Sequence, residues 1–377
     1  MIHPRTASGR CIWLSALFCT LAAFFCHLPY SYADNRPAVK VGLLLSLSGG
    51  LEQWCSYIRQ GVELAVSEGG PVRIEVIYED DHSIDRKLTL SAAQKLVYVD
   101  NVDVLVSWTA STVPVLSALA NAAHTPYLTG AYDRNVARGG PYVFGAFVNY
   151  ELVPREIARF FTEQLKARRL ALVMAADDWS QSFEAPFREE AQKLGAEMVL
   201  SETVSPDEED TRALILKLKQ KQVDAVLAPL YAGSLYSFLK NARELHFSGA
   251  LHVGDGMFEE DIRIAGASAE GVYAAQIWLE SPALRLALEK RFGRSSNPLQ
   301  LGMAASGYDW VRHLEGVVLE IVKEGRAVSR EALRDKLSGF RSRGYLGDLM
   351  YGDAPVQSGE ITVVVREGRY VPWGSNE

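Results

Sequence analysis

The stretch VGLLLSLSGGLEQWCSYIRQGVELA, from Val41 to Ala65, decides the fold. It begins as an apolar run, reaches Gly49 and Gly50, and continues with helical periodicity. An apolar run of this length is typical of a strand buried on both faces of a parallel sheet. Ligands of such sheets bind at the carboxyl ends of the strands. Trp54 and Cys55 follow the strand at that place.

Three kinds of site can use such a loop: a phosphate cradle, a nucleophilic cysteine, or an aromatic wall of a ligand cleft. The segment SLSGG, residues 46–50, lacks the Lys-Ser/Thr of a P-loop and the three-glycine spacing of a dinucleotide motif. No sequence signature pairs Cys55 with a base, and the chain has no Gly-x-Ser-x-Gly motif. We therefore expect neither a cofactor nor a catalytic residue here, and interpret Trp54 as a cleft wall.

Short apolar segments alternate with helix-period segments in two successive series along the chain. The first series runs to about Asn149, and the second begins with LALVMAADD, residues 170–178. Two β-α-β series predict an α/β protein with two doubly wound parallel-sheet lobes. After a helix-rich third, EITVVVREGRYVPW, residues 360–373, predicts a hairpin.

Residues 1–33 are typical of a secretory signal peptide. Arg5 and Arg10 precede an apolar run from Cys11 to Leu28, and small residues at −3 and −1 predict cleavage after Ala33. The alternative is a membrane anchor, because the run is close to the roughly 18 apolar residues that permit a span. We expect export from the cytoplasm, which leaves Cys55 as the only cysteine of the mature chain and permits no internal disulfide.

The charge of the chain argues against nucleic acid as a partner. Of its 377 residues 39 are basic and 46 acidic, and loss of the two leader arginines gives a net charge of −9. An acidic chain without a basic cluster is a poor nucleic-acid binder. The acidic segment YEDDHSIDRK, residues 78–87, departs from a calcium loop, with Arg86 where the glycine is needed. We expect no metal site.

Aromatic, hydroxyl and acidic residues follow the strands of both series, where parallel sheets bind small molecules. Thr109 and Ser111 stand at a helix start, whose free N–H groups favour a carboxylate. Asp255 lies between two glycines and is a candidate partner for an ammonium group. The candidate ligand-binding residues are Trp54, Thr109, Ser111, Gly130, Tyr132, Trp179, Tyr231 and Asp255.

Several segments, in their order and spacing, resemble type I periplasmic solute-binding proteins of the branched-chain amino acid (Leu/Ile/Val) binding family of ABC importers. They are VKVGLLLSLSGGLEQW, IEVIYEDDHSIDRKLTLSAAQKLV, STVPVLSALANAAHTPYLTGA, DDWSQSFEAPFREEAQKLGAE, VDAVLAPLYAGSLYSFLKNAREL and SAEGVYAA. The resemblance covers essentially the whole mature chain. It implies two lobes joined by three crossovers, near Asn149, Gln276 and Gly359, with the ligand between them. Lobe 1 would comprise residues 34–148 and 277–358, and lobe 2 residues 149–276 and 359–377.

In the first lobe, the resemblance implies that Trp54 flanks the ligand side chain and that Thr109 binds the ligand carboxylate. Gly130 and Tyr132 match a loop that uses backbone groups and a threonine hydroxyl for the carboxylate and ammonium. Because Tyr132 is far bulkier than threonine, we expect it to intrude on the pocket.

In the second lobe, Trp179 and Tyr231 match aromatic residues that close over the ligand. Asp255 stands where a glutamate holds the ammonium and is one methylene shorter. With so many aromatic residues, an aromatic acid is a credible ligand beside an amino acid.

The resemblance implies a non-catalytic, monomeric protein that binds a small molecule and hands it to the transmembrane subunits of an ABC permease. A periplasmic ligand sensor that passes its occupancy to a signalling partner is the alternative, since the fold and pocket would be the same. An enzyme is a third interpretation, which no nucleophile-base pair or metal set supports.

Overall fold

The computed structural model describes residues 34–82, 85–351 and 360–375, together with Met1. The expected signal peptide and the expected crossover near Gly359 lie outside these residues. The residues from Pro37 to Glu377 form one unit, which contains both sheets described below.

The first half of the chain builds a five-stranded parallel sheet in the order β2-β1-β3-β4-β5. Its strands are β1 (Ala38–Leu45), β2 (Arg73–Asp80), β3 (Val104–Ser107), β4 (Tyr127–Tyr132) and β5 (Val143–Asn149). The helices between them are α1 (Glu52–Glu68), α2 (Arg86–Tyr98), α3 (Val113–Ala122) and α4 (Arg134–Ala137), with a 3₁₀ turn at Ala110–Thr112. Strand β1 is buried on both faces, as its apolar run predicts.

The second half builds a seven-stranded sheet in the order β14-β13-β10-β9-β8-β6-β7. Its strands are β6 (Arg169–Ala175), β7 (Glu197–Val204), β8 (Ala225–Leu227), β9 (Ala250–His252), β10 (Tyr273–Ile277), β13 (Glu360–Arg366) and β14 (Arg369–Pro372). The neighbours from β10 to β7 are parallel, whereas the C-terminal hairpin β13-β14 adds to β10 in antiparallel fashion. The predicted two-lobe α/β fold is thus confirmed, with a mixed rather than purely parallel second sheet.

The helices of the second half flank this sheet or return to the first one. They are α5 (Val153–Arg159, continued by a π-helical turn at Phe160–Gln164), α6 (Asp178–Ser182), α7 (Glu184–Lys193), α8 (Arg212–Gln220), α9 (Ala232–Glu244) and α10 (Glu259–Ala265). Three later helices are α11 (Pro282–Phe292), α12 (Pro298–Lys323) and α13 (Arg330–Leu337), followed by the small hairpin β11 (Arg341–Gly344) and β12 (Gly347–Met350). Within the described residues, no helix is long and apolar enough to cross a membrane.

The strand order creates a topological switch point in each sheet. In the first sheet β1 and β3 are neighbours although β2 lies between them in the chain, and in the second sheet β6 and β8 are neighbours although β7 lies between them. The loops that follow such a pair of strands diverge and leave a crevice at the carboxyl edge of the sheet. The loops after β1, β3, β6 and β8 therefore flank a crevice that can hold a ligand.

Helix α12 returns to the first lobe and packs closely along α1. The approach is possible because Gly61 of α1 lies against the backbone of Ala304, and Gly307 of α12 lies against the backbone of Ile58. A Cβ built on Gly61 would stand 1.8 Å from the Ala304 carbonyl oxygen. Real Cβ atoms do not come this close to an oxygen, so glycine is required at this crossing.

Replacing Gly61 with alanine should force α1 and α12 apart. Overpacking costs about 1–3 kcal/mol, which exceeds the gain of up to about 1 kcal/mol from better helix propensity. We expect a lower melting temperature for Gly61→Ala. Gly233→Ala is a matched control in helix α9, because its Cβ would meet its nearest atom only at 3.9 Å. Equal melting temperatures for the two variants would contradict the close crossing.

Candidate functional site

A cavity of about 350 Å³ lies between the carboxyl edges of the two sheets. Seven of the predicted ligand-binding residues line it: Trp54, Thr109, Ser111, Gly130, Trp179, Tyr231 and Asp255. The first four belong to the first sheet or to the segments that follow its strands, and the other three follow strands of the second sheet. The structure therefore brings together residues that stand up to about two hundred positions apart in the chain. Tyr132 is not among the lining residues.

The first-lobe side of the cavity presents hydroxyl groups at a helix start. Ser111 belongs to the 3₁₀ turn that leads into α3, and Thr109 immediately precedes this turn. The Thr109 Oγ1 atom is buried and has no hydrogen-bond partner in the structure. A buried hydroxyl without a partner costs free energy, so a ligand atom that bonds to it would recover that cost. The dipole of the turn favours a negative group at the same place.

A buried hydroxyl network beneath this loop holds it in position. The Thr112 Oγ1 donates to the Thr109 carbonyl oxygen at 2.7 Å and lies 2.8 Å from the Ser107 Oγ. The Ser107 Oγ in turn lies 2.6 Å from the Tyr127 hydroxyl. Because these groups satisfy each other, the loop is fixed and the Thr109 hydroxyl is left to face the cavity.

Trp108 also lines the cavity and explains the glycine at position 130. Its ring stacks on Phe147 at a centroid distance of 5.2 Å. A Cβ on Gly130 would come within 2.6 Å of the Trp108 ring. Gly130 was predicted as a ligand-binding residue that matches a backbone-binding loop, and in the structure this glycine also makes room for an indole.

Tyr132 corrects an expectation of the sequence analysis, because its side chain does not intrude on the cavity. It is buried among Val136, Tyr142 and Val143, on the opposite side of the sheet. The β4-β5 register shifts between Thr129 and Ala131, which is a β-bulge. A bulge interrupts the alternation of side chains.

The bulge shifts by one residue which side chains of β4 point to each side of the sheet. Before it, Leu128 packs in the core beneath the cleft and Tyr127 on the opposite side. After it, Ala131 packs on the cleft side and Tyr132 on the opposite side. An uninterrupted strand would have placed residue 132 on the same face as residue 128.

The second-lobe side of the cavity is organised around the carboxylate of Asp255. The Tyr150 hydroxyl donates to Asp255 Oδ2 at 2.7 Å, and the Trp179 indole N–H lies 3.2 Å from Asp255 Oδ1. The indole N–H also lies 3.1 Å from the Tyr150 hydroxyl oxygen. Tyr150 directly follows β5 at the first crossover, so this cluster links the crossover to the second lobe.

Burial dominates the electrostatics of this cluster. It raises the pKa of Asp255 to about 6, although the hydrogen bonds from Tyr150 and Trp179 act in the opposite direction. Burial and the nearby Asp255 carboxylate raise the pKa of Glu360, at the start of β13, well above its ordinary value. Burial and the same carboxylate also keep Tyr150 protonated. Asp255 is thus a costly charge that a cation in the cavity would stabilise.

The glycines on either side of Asp255 have separate roles. Gly254 has a φ of 65°, in the left-handed region that favours glycine. A Cβ on Gly256 would come within 2.5 Å of the Trp179 ring. The pattern Gly-Asp-Gly therefore allows a tight turn on one side and close approach of an indole on the other.

Several lining residues escaped the sequence analysis: Leu51, Trp108, Val148, Tyr150, Asp177, Tyr236, Phe258 and Asp261. Tyr150 and Asp177 follow strands, and that signal was available. Asp178, the next residue in the chain, is not among the lining residues and forms an ion pair with Arg86. Nothing in the sequence indicated that Tyr236 lines the cavity, because this residue lies within the helical pattern of α9.

The two lobes touch each other across the mouth of the cavity. Trp54 of the first lobe lies against Phe258 of the second, with ring centroids 5.0 Å apart. Arg86 forms its ion pair with Asp178 across the same gap. The Trp54 Nε1–H is buried and has no hydrogen-bond partner in the structure. Trp54 thus presents a free donor on the wall of the cavity.

The chain matches the family model for periplasmic binding proteins over residues 38–359. It belongs to this family. A Leu/Ile/Val-binding protein homolog from Brucella abortus is 26% identical over 237 residues, which are 58% of this chain and 58% of that relative. The curated relative is therefore matched over little more than half of its length.

Solved structures of similar proteins support the fold. The branched-chain amino acid binding protein LivJ from Streptococcus pneumoniae, in complex with isoleucine, has a TM-score of 0.72 at 22% identity. The match covers 88% of this chain and 97% of that one. An R. palustris solute-binding protein in complex with benzoate has a TM-score of 0.72 at 18% identity and covers 89% and 96%. At such identities the likeness shows the fold alone.

Cys55 of this periplasmic binding protein is not a nucleophile. Its side chain is 1% exposed and packs in the core beneath the cleft. Burial, with the Asp81 carboxylate nearby, raises the pKa of the thiol to about 12. The thiol is therefore protonated at neutral pH and unreactive.

Replacing Tyr150 with phenylalanine should raise the pKa of Asp255 further in this binding protein. The variant loses the hydroxyl that donates to Asp255 Oδ2 and stabilises its ionised form. A hydrogen bond to a charged group is worth about 1.5–3 kcal/mol, so we expect a rise of at least about one pKa unit. Carbon-13 NMR titration of labelled aspartate carboxyls measures it. The matched control is Tyr98→Phe on the exposed surface of α2. An unchanged Asp255 pKa in Tyr150→Phe would refute the bond.

Proposed function

We propose that this protein is the periplasmic substrate-binding component of an ABC importer. It captures an amino acid or a related small organic solute, aromatic acids included, between its lobes and delivers it to a membrane permease. In this proposal residues 1–33 are a signal peptide cut after Ala33, and the mature chain acts as a monomer. Lobe 1 comprises residues 34–148 and 277–358, and lobe 2 residues 149–276 and 359–377.

The observation that carries the proposal is the opposite polarity of the two sides of the cavity. The first lobe offers Thr109 and Ser111 at a helix start, which suits a carboxylate. The second lobe offers the buried Asp255, which suits an ammonium group. Aromatic walls between them, Trp54 and Trp179 among others, suit an apolar body. A zwitterion with an apolar part satisfies all three.

The direct test is isothermal titration of the purified protein with amino acids, aromatic acids and amides. We expect one ligand per chain, with a dissociation constant in the micromolar range or below. Mass spectrometry of small molecules released from natively purified protein identifies a ligand that is carried through purification. If no compound gives heat and none is released, the proposal is wrong.

Replacing Trp54 with alanine should weaken ligand binding without unfolding the protein. The variant loses an aromatic wall and a buried N–H without an internal partner, whereas Trp54 is only partly buried in the protein core. We expect at least a tenfold weaker affinity by titration and a nearly unchanged melting temperature. Trp373→Ala, outside the cavity, is the control for loss of an indole. A large fall in melting temperature without a change in affinity would show that Trp54 stabilises the fold and does not contact the ligand.

Replacing Asp255 with asparagine should weaken the binding of any ligand that carries an ammonium group. Asparagine keeps the shape of the side chain and removes its charge. Charge-assisted hydrogen bonds are worth about 1.5–3 kcal/mol, so we expect at least about a tenfold loss of affinity. Unchanged affinity would mean that the ligand ammonium does not reach Asp255.

The raised pKa of Asp255 adds a pH dependence to this test. A cationic ligand binds the ionised carboxylate, so its affinity should fall as the pH drops through about 6, the pKa of Asp255. At pH 5 about one tenth of this carboxyl is ionised, which predicts about tenfold weaker binding than at pH 7.5. The decline should be absent in Asp255→Asn.

A further inference from the structure

The walls of the cavity carry negative charge that one ligand ammonium does not account for. Three aspartates line it, namely Asp177, Asp255 and Asp261, all in the second lobe. Among the lining residues that the structure describes, none is a lysine, arginine or histidine. Arg86, at the cleft mouth, is engaged with Asp178. A cavity of this charge disfavours an anion and favours a ligand with an excess of positive charge.

The three carboxylates differ in how the protein satisfies them. Both oxygens of Asp255 receive hydrogen bonds from Tyr150 and Trp179. Both oxygens of Asp261 are also engaged: the Tyr236 hydroxyl donates to Oδ1, and the Phe258 backbone N–H donates to Oδ2 at 2.7 Å. These two carboxylates are therefore positioned and partly neutralised by protein donors.

Asp177 is different because one of its oxygens accepts no hydrogen bond of regular geometry. Its Oδ1 accepts from the Ser180 backbone N–H at 3.0 Å and caps helix α6. Its Oδ2 is buried, although the Tyr231 hydroxyl is close enough to stabilise the ionised carboxylate. Burial raises the pKa of Asp177, and burial together with this carboxylate raises the pKa of Tyr231 to about 12. A buried carboxylate oxygen without a donor is costly until a ligand supplies one.

Aromatic faces stand beside the Asp177 carboxylate. The rings of Trp179 and Tyr231 lie 5.9 Å apart at an angle of 58°, and both line the cavity. Guanidinium and alkylammonium groups are attracted to aromatic faces by the ring quadrupole, and a guanidinium also stacks on them. An acceptor without a donor of regular geometry next to two such faces has the chemistry of a cation subsite.

We propose that the ligand carries a second cationic group, a guanidinium or alkylammonium, at the end of its side chain. This group donates to Asp177 Oδ2 and lies against Trp179 and Tyr231, while the α-ammonium group meets Asp255. The inference rests on the proposed function and narrows its substrate class to basic amino acids. Aromatic carboxylates such as benzoate, which have no cationic group, are excluded.

The test compares four probes on protein purified from cells that express the full chain. L-Arginine, L-lysine, L-leucine and benzoate are titrated calorimetrically after bound ligand has been stripped with urea, because guanidinium salts would compete as the group under test. We expect arginine or lysine to bind at least tenfold more tightly than leucine, and benzoate to give no heat. Tighter binding of leucine or benzoate would overturn the inference and leave the proposed function intact.

Asp177→Asn isolates the charge of the subsite. Asparagine caps a helix as well as aspartate does, so the melting temperature should not change. We expect at least a tenfold loss of affinity for the basic amino acid and less than a twofold change for leucine. The matched control is Asp85→Asn, the same replacement at the N-cap of α2, outside the cavity.

The remaining outcomes separate the two proposals. An equal loss of affinity for arginine and leucine in Asp177→Asn would give Asp177 a structural role and overturn the inference. An unchanged arginine affinity in this variant would also overturn it. If none of the four probes, no other amino acid and no other organic acid binds the wild-type protein, the proposed function itself is wrong.

Discussion

The parallel pairing of β1 with both β2 and β3 is the constraint on which the site depends. It buries β1 on both faces and sends the chain out of the sheet at one edge, in two diverging loops. Trp54 follows the first loop and Thr109 lies in the second. The second sheet repeats the arrangement with β6 and β8, and thereby supplies Trp179 and Tyr231. The cavity exists because two such edges face each other.

Desolvation is the main energetic problem of this cavity. Asp255 is held by two donors from different parts of the chain, and its pKa is raised despite them. The Thr109 hydroxyl, Trp54 indole N–H and Asp177 Oδ2 are further groups that make no internal hydrogen bond of regular geometry. Without a ligand these groups remain unsatisfied, so a ligand atom that bonds to one of them recovers part of its desolvation cost.

Proteins of the same fold bind chemically different ligands. The similar structures from S. pneumoniae and R. palustris were solved with isoleucine and benzoate, respectively. The shared fold is therefore compatible with different ligands, and the side chains on the fold define which ligand a given protein binds. In this chain the cavity is lined by three aspartates and several aromatic rings. A ligand whose only charge is a carboxylate would be repelled by these aspartates.

The sequence by itself determined the two α/β lobes and seven of the residues that line the cavity, because strand ends can be located from local periodicity. It also indicated the glycines of the Gly-Asp-Gly turn. Tertiary structure alone decided two matters. The bulge in β4-β5 turned Tyr132 away from the cavity, and the passage of the chain from the first sheet to the second placed the Tyr150 hydroxyl on Asp255. Each depends on register or on contacts distant in sequence, which periodicity does not encode.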